Sequence, residues 1–314
     1  MNTNFQVKTF SFLILLSACL ADAKPKSIQF SISETKVVNT IPSKTRNFAY
    51  IVPGKLETYI YDNEHDYYKG YQESYYAVTC KKAGWDCMRH YEILANGCIP
   101  YFTDIDQCPD ETMPFLPKDL IREAMHLEGV SYLHIDHSKF NKKRYYEILN
   151  QLLEHTRAHL TSRKMAEYVL NSVNYSGKGK VLFLSRDQYP DYLRCSMLIG
   201  LKELLADRAI DFPKIEHVYN SYRNDIKTIY GKGITYTKII DDISLDRQNI
   251  EQRIANHEFE IIIYGSVHRG LLFHDLVCTS YPKEKIVYLC GEDAHYCTFA
   301  NLNNMFIREH DYKY

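Results

Sequence analysis

The sequence predicts an α/β fold built as two Rossmann-like halves. Short, continuous apolar runs recur in it: "VLFLS" (Val181–Ser185), "EIIIYG" (Glu260–Gly265) and "KIVYLCG" (Lys285–Gly291). Runs of this length and uniformity mark parallel strands covered on both faces. Stretches of helical periodicity separate them. A small, polar, flexible segment, "NYSGKGK" (Asn174–Lys180), divides the rhythm into a first half over about residues 28–172 and a second over 178–314.

In the first half, strands are expected at Ala49–Val52, Tyr75–Cys80, Cys98–Phe102 and Ser131–Ile135, with helices near Asp86–Asn96 and Pro117–Met125. A long helical stretch follows from Lys143 to Asn171. Tyr145, Ile148, Leu149, Leu152, Thr156 and Leu160 recur there at helical spacing, and Thr161 or Ser162 caps a second segment. In the second half Asp191 caps a helix carrying Leu193, Met197, Leu198, Leu201, Leu204 and Leu205. Two such halves with a cleft between them are a frequent way to hold a nucleotide and a second substrate.

The 314 residues fit two domains of ordinary size, and 45% apolar with 25% charged residues indicates a globular chain. The net charge of -1 argues against a nucleic-acid partner, which calls for basic excess. Tyrosine is abundant, 27 residues against one tryptophan, and suits wet or sugar-facing surfaces as well as ordinary packing. Residues 1–23 read as a signal peptide: Lys8, an apolar run over Phe10–Leu16, then Ala21-Asp22-Ala23 with cleavage after Ala23. The run is too short for a stable membrane span. The expected location is the secretory pathway or outside the cell, and a lipoprotein anchored through Cys19 is the alternative. Beyond that segment, Cys80, Cys87, Cys98 and Cys108 fall early and Cys195, Cys278, Cys290 and Cys297 late. The even split permits disulfides within each half; buried apolar thiols are the other reading.

The densest chemistry lies in "CKKAGWDCMRHYEILANGCIPYF" (Cys80–Phe102). Asp86 is a good helix N-cap and Gly97 a good stop, so a helix is expected over Cys87–Asn96. At 100° per residue Cys87, Met88, Tyr91, Leu94 and Ala95 share one side. Arg89, Glu92 and Asn96 share the other, flanked by Asp86 and His90. Arg89 is three residues from both Asp86 and Glu92, so an ion-paired solvated face accounts for the pattern without a ligand. A ligand floor accounts for it equally. Lys81, Lys82 and Gly84 form the turn feeding the helix, where backbone N–H groups, the dipole and lysines favour an anion. Arg89 can clamp a diphosphate, and Glu92 can accept from ribose hydroxyls.

"GWDCMRHYEILANGCIPYF" resembles the donor-site motif of exostosin-like glycosyltransferases, in which an arginine and then a helix glutamate precede an "aGCIP" strand. The matching positions are Arg89, Glu92, Gly97, Cys98, Ile99 and Pro100, and a looser likeness runs through "LPKDLIREA" and "HTRAHLTSRKMAEYVL". More broadly the segment is similar to the nucleotide-binding half of B-type glycosyltransferases. "VLFLSRDQYPDYLRCSMLIGLKELL", "YGKGITYTKIIDD" and "FEIIIYGSVHRG" resemble the other lobe. The resemblance implies two lobes of that type, the donor lobe over 28–172 standing first and the acceptor-side lobe over 178–314 second. This reverses the usual order. In such relatives "MFIREHDY" would lead into something like "IQFSISE", here Ile28–Glu34, so the order implies a circular permutation. It further implies hexosyl or glycuronosyl transfer from a nucleotide sugar to a glycan acceptor, with Lys81, Lys82, Gly84, Asp86, Arg89, Glu92 and Gly97 at the donor.

Two strand ends offer bases for the acceptor hydroxyl. His268 in "GSVHRG" can serve, or be an ordinary loop histidine. Asp293 or Glu292 in "GEDAHYC" can serve, or cap a helix. Cys290, His295 and Cys297 match no usual zinc spacing, and Asp104-Ile105-Asp106 sits in a loop after a strand. No metal and no cofactor beyond the nucleotide-sugar substrate is expected. The rival reading is a secreted carbohydrate-binding protein without catalysis on the same scaffold.

Overall fold

A computed structural model of the chain describes residues 24–293 and 302–310. The expected signal peptide, Cys297 and the Cys19 anchor lie outside the described residues. In chain order the main elements are β1 (Lys26–Ser27), β2 (Arg46–Phe48), α1 (Glu64–Gln72), β3 (Ser74–Thr79), α2 (Met88–Ala95), β4 (Ile99–Phe102) and α3 (Lys118–Met125). Then come β5 (Val130–Ser131), β6 (His134–Ile135), α4 (Lys142–His155), α5 (Ser162–Asn171), β7 (Lys180–Leu184), α6 (Tyr192–Leu205) and β8 (Ala209–Phe212). Last are α7 (Ile250–Ala255), β9 (Phe259–Tyr264), α8 (His274–Ser280), β10 (Ile286–Cys290) and β11 (Met305–Ile307).

The result is a mixed α/β fold with two parallel, Rossmann-like sheets. One has three strands in the order β2-β3-β4, the other six in the order β1-β11-β10-β9-β7-β8. Side chains alternate between faces along each strand. On the large sheet Val181, Phe183, Ile261, Ile263, Val287, Leu289 and Phe306 face a core that continues into the helices and Tyr76 and Ile99 of the small sheet. Leu182, Leu184, Ile262, Tyr264, Ile286, Tyr288 and Met305 face a second core under α7 and α8. The apolar interior therefore runs from one sheet to the other.

Several boundaries differ from expectation. The first strand of the small sheet ends at Phe48, and of the expected Ala49–Val52 only Ala49 bonds back to β3, through its N–H to Tyr76 O at 2.8 Å. Ala49 and Ile51 are buried by packing against Tyr67, Tyr68 and Tyr71 instead. Ser131–Ile135 is a tight antiparallel hairpin, because Leu133 turns the chain at φ 60°. The long helix breaks at a π-turn over Thr156–Leu160, and Thr161 is extended at ψ 153°, its hydroxyl capping α5 as the sequence suggested. There the ladder is borrowed from a distant segment: Ser162 N–H donates to Ile32 O at 2.8 Å. Strands β1 and β11 are short and escaped sequence reading; they pair in parallel, with Lys26 opposite Phe306.

Cys80, Cys87, Cys98, Cys108, Cys195 and Cys278 are free thiols, so the pairing considered within the first half does not form. No helix among the described residues is long and apolar enough to cross a membrane.

Helices α5 and α6 touch at Gly200. A Cβ there would stand 1.9 Å from the carbonyl oxygen of Ser162, a backbone atom that cannot swing aside. Alanine improves helix propensity by about 1 kcal/mol, whereas forcing packed backbones apart costs about 1–3 kcal/mol or more. Gly200→Ala is therefore expected to lower the urea midpoint; an unchanged or raised midpoint would show that the helices separate freely.

Candidate functional site

Between the two sheets lies a cleft of two joined chambers. The first, about 420 Å³, is bounded by Ile51, Tyr59, Tyr61, Tyr67, Lys82, Arg89 and Glu92 on one side and by Tyr192, Tyr230, Lys232 and Ile234 on the other. The second, about 300 Å³, is bounded by Asp86, Tyr189, Asp191, His268, Arg269, Glu292 and Asp293. Cys87, Met88, Tyr192 and Tyr230 line both. Volumes of this size suit small-molecule ligands.

Helix α2 carries Arg89 and Glu92 into the first chamber, and the two behave differently. Arg89 Nη2 donates to Tyr59 Oη at 3.1 Å, and the guanidinium lies 5.3 Å from the Tyr59 ring centre. Its Nε and Nη1 are buried with no hydrogen-bond partner among the described residues. The hydrogen-bonded pair with Glu92 suggested by their spacing is not made. A buried charged donor left unpaired costs free energy unless a ligand completes it. Each Glu92 carboxylate oxygen has one hydrogen-bond partner within the protein. Tyr67 Oη donates to Oε2 at 2.5 Å, and the Thr235 hydroxyl donates to Oε1. Burial pushes the Glu92 carboxyl up, and these two bonds pull it back. Each oxygen keeps acceptor capacity for a further donor. Tyr71 extends the chain to Tyr67 at 2.9 Å, and Tyr68 Oη lies 2.8 Å from Thr235 Oγ1.

The glycine turn ahead of α2 does hold an anion, and the anion is the protein's own. Glu309 accepts from Trp85 N–H at 3.0 Å and Asp86 N–H at 2.9 Å. A Cβ on Gly84 would meet Glu309 Oε1 at 2.4 Å, so the glycine is required by this carboxylate and not by a phosphate. The cap reading of Asp86 is likewise corrected. Cys87 occupies the N-cap position without a side-chain bond. The Asp86 carboxylate is buried and accepts from Phe30 N–H at 2.6 Å and Tyr91 Oη at 2.7 Å. Lys81 lies over the Trp85 ring at 5.0 Å, away from both chambers. Gly97, at φ 62°, ends α2 at the far end, where a Cβ would meet Pro42 at 2.9 Å. Of the residues expected at the donor, Lys82, Arg89 and Glu92 share the first chamber.

Arg308 ties the cluster together. Nη1 donates to Asp86 O at 2.6 Å and Glu309 Oε1 at 2.7 Å, Nη2 donates to Asp293 Oδ1, and the guanidinium lies 4.4 Å from the Phe30 ring centre. With Asp86 Oδ2 3.9 Å from Nη1, three carboxylates surround one guanidinium. Burial raises Glu309 to about 7 and Asp86 to about 6 against the pull of Arg308. Asp293 is spent largely on Arg308. His268 has Nε2 3.0 Å from Glu292 Oε1 and 3.6 Å from Asp191 Oδ2, and its Nδ1 is buried without a hydrogen-bond partner. Asp191 caps α6 by accepting from Arg194 N–H at 3.0 Å. Asp104 and Asp106 are engaged elsewhere, with Lys81 N–H at 2.9 Å and Arg122 Nε at 2.8 Å.

Sequence reading missed Arg308, Glu309, Thr235, Tyr59, Tyr67, Tyr192 and Tyr230. The spacing of Tyr67, Tyr68 and Tyr71 on α1 was a usable signal for one buried face. Nothing local marked the bonds of Arg308 and Glu309 to the turn before α2, which lies over two hundred residues away.

Both raised carboxyls have folded-state values above their unfolded ones. Their contribution is present in full below about pH 4 and is lost as pH rises through about 6 to 7. Glu309→Gln is expected to flatten the decline in melting temperature between pH 4 and 7.5 relative to wild type, by an amount on the order of 3 kcal/mol at most. Parallel pH profiles for the two proteins would refute the assignment. Comparison with family models, with curated proteins and with solved structures gives no match.

Proposed function

We propose that the protein is a glycosyltransferase that moves a sugar from a nucleotide-sugar donor to a carbohydrate hydroxyl. The observation that carries this reading is the pair of buried, unpartnered donors on Arg89, a residue that lines an aromatic-walled chamber together with Lys82 and Glu92. The likeness of Arg89 and Glu92 to the exostosin-like donor motif supports the same placement. Arg89 and Lys82 hold the diphosphate, and the remaining lone pairs of Glu92 accept from the ribose.

In the reaction the acceptor oxygen bonds to the anomeric carbon as the bond from that carbon to the diphosphate oxygen breaks. The electron pair leaves on the diphosphate, stabilised by Arg89 and Lys82. The acceptor proton passes to His268 Nδ1, the nitrogen left without a partner when Nε2–H donates to Glu292 Oε1; Glu292 orients the ring and, once it is protonated, stabilises it. Asp293, committed to Arg308, is the weaker candidate for that proton. The proposal includes no metal, because the two cations supply the charge compensation. A non-catalytic carbohydrate-binding role is favoured by one observation, Glu309 filling the turn that precedes α2.

Calorimetry with a panel of nucleoside diphosphates on the chain from Lys24 onward separates these readings. One nucleotide is expected to bind saturably. Arg89→Ala with Glu92→Ala is expected to weaken it by about tenfold to a hundredfold or more, the range for charge-assisted hydrogen bonds. A folded wild-type protein that binds no nucleotide sinks the transferase and leaves the binding role.

A further inference from the structure

The two chambers share Cys87, Met88, Tyr192 and Tyr230, and the last of these has no part in the donor contacts described above. Tyr230 is 61% exposed although it lies between the sheets and lines both chambers. Its position is built. Tyr236 Oη donates to Tyr230 O at 2.6 Å. Gly231 follows at φ 61°, where an added Cβ would stand 2.3 Å from Tyr192 Oη and would displace that ring. Lys232, at φ 55°, reaches across the cleft to Asp62 Oδ1 at 2.6 Å and Tyr61 O at 3.0 Å. Thr235, further along the same loop, donates to Glu92. The Tyr230 ring meets Tyr192 edge-on at 5.4 Å and 60°, so its faces are not covered by that neighbour.

A loop fixed to the opposite wall at Lys232 and Thr235 does not expose a large ring for lack of packing. Tyr230 lines both chambers, at the wall they share. On one side stand the unpaired donors of Arg89, on the other His268 with Glu292. A pyranose has a face of C–H groups and a rim of hydroxyls, and an aromatic ring with a polar tip matches both.

We propose that Tyr230 is the platform on which the sugar ring of the donor lies, and so a positioning and specificity residue that admits sugars with an unobstructed C–H face. This rests on the transferase reading. With the sugar on Tyr230, its anomeric carbon sits between the diphosphate held at Arg89 and the acceptor hydroxyl near His268. The bond to the diphosphate oxygen breaks toward Arg89, and the new bond forms from the second chamber. A sugar with an axial hydroxyl on the stacked face is lifted off the ring and excluded.

The test compares free UDP and GDP with UDP-glucose, UDP-glucuronate and GDP-mannose by calorimetry, on wild type, Tyr230→Phe, Tyr230→Leu and Tyr230→Ala, with thermal melting as a check of folding. In Tyr230→Ala the free diphosphate is expected to keep its affinity within about twofold, while its sugar conjugate weakens about tenfold or more. Tyr230→Phe is expected to restore the conjugate, and Tyr230→Leu to fall between. Equal losses for diphosphate and conjugate, or no loss for either, overturn the platform and leave the transferase standing. Absence of nucleotide binding by folded wild type overturns both.

Discussion

The geometry of the cleft depends on one buried guanidinium. Arg308 exposes none of its side chain, and neither does Asp86 beside it. Taking such charges out of water costs several kcal/mol per ion, which only close partners offset. Arg308 finds them in three carboxylates, two carbonyl groups and the face of Phe30. These partners come from the ends of β10 and β11 in the large sheet, the turn before α2 and the segment after β1. Meeting the needs of one side chain therefore fixes where α2 begins. Arg89 and Glu92 stand within the first two turns of that helix, so their aim is fixed with it.

Polar satisfaction is distributed unevenly around the cleft. The turn before α2 has its N–H groups answered by Glu309, and Glu92 is answered by Tyr67 and Thr235. Arg89 alone in that neighbourhood keeps two buried donors unanswered. Most buried polar groups in folded proteins are paired. Among the described residues around the cleft, Arg89 has two such unpaired atoms, and Trp85 and His268 have one each, Nε1 and Nδ1. The bonds that hold Glu92 come from α1 and from the loop over Tyr230–Thr235, so the two walls of the chamber meet on this carboxylate.

Much of this fold was legible before the structure, and the reasons for the rest are physical. Val181–Ser185 and Glu260–Gly265 are long apolar runs whose burial is written locally, and the Asp191 and Thr161 caps follow from short-range side-chain chemistry. Strands β1 and β11 carry two and three residues, and no periodicity can be read from so few. Their pairing comes from sheet context. The polar face of α2 was visible, and so was the aptitude of Gly84 for an anion. Which anion arrives there was not, because Glu309 reaches it from 223 positions along the chain. The same distance hides Thr235 from Glu92, 143 positions apart.

The pairing of β1 with β11 has a consequence for how the molecule comes together. Ser27 meets His310 across 283 positions, and Ile28 N–H bonds to Ile307 O at 2.9 Å. Contacts between such distant positions are slow to form, because a very long loop must close before they repay it. During synthesis β1 and Ile28 emerge early, and their native backbone partners follow only with residues 305–307. The partners of the α2 turn come as late, since Arg308 and Glu309 arrive on the same stretch. The cleft is then the part of the protein completed last, although the helix at its floor is among the first parts made.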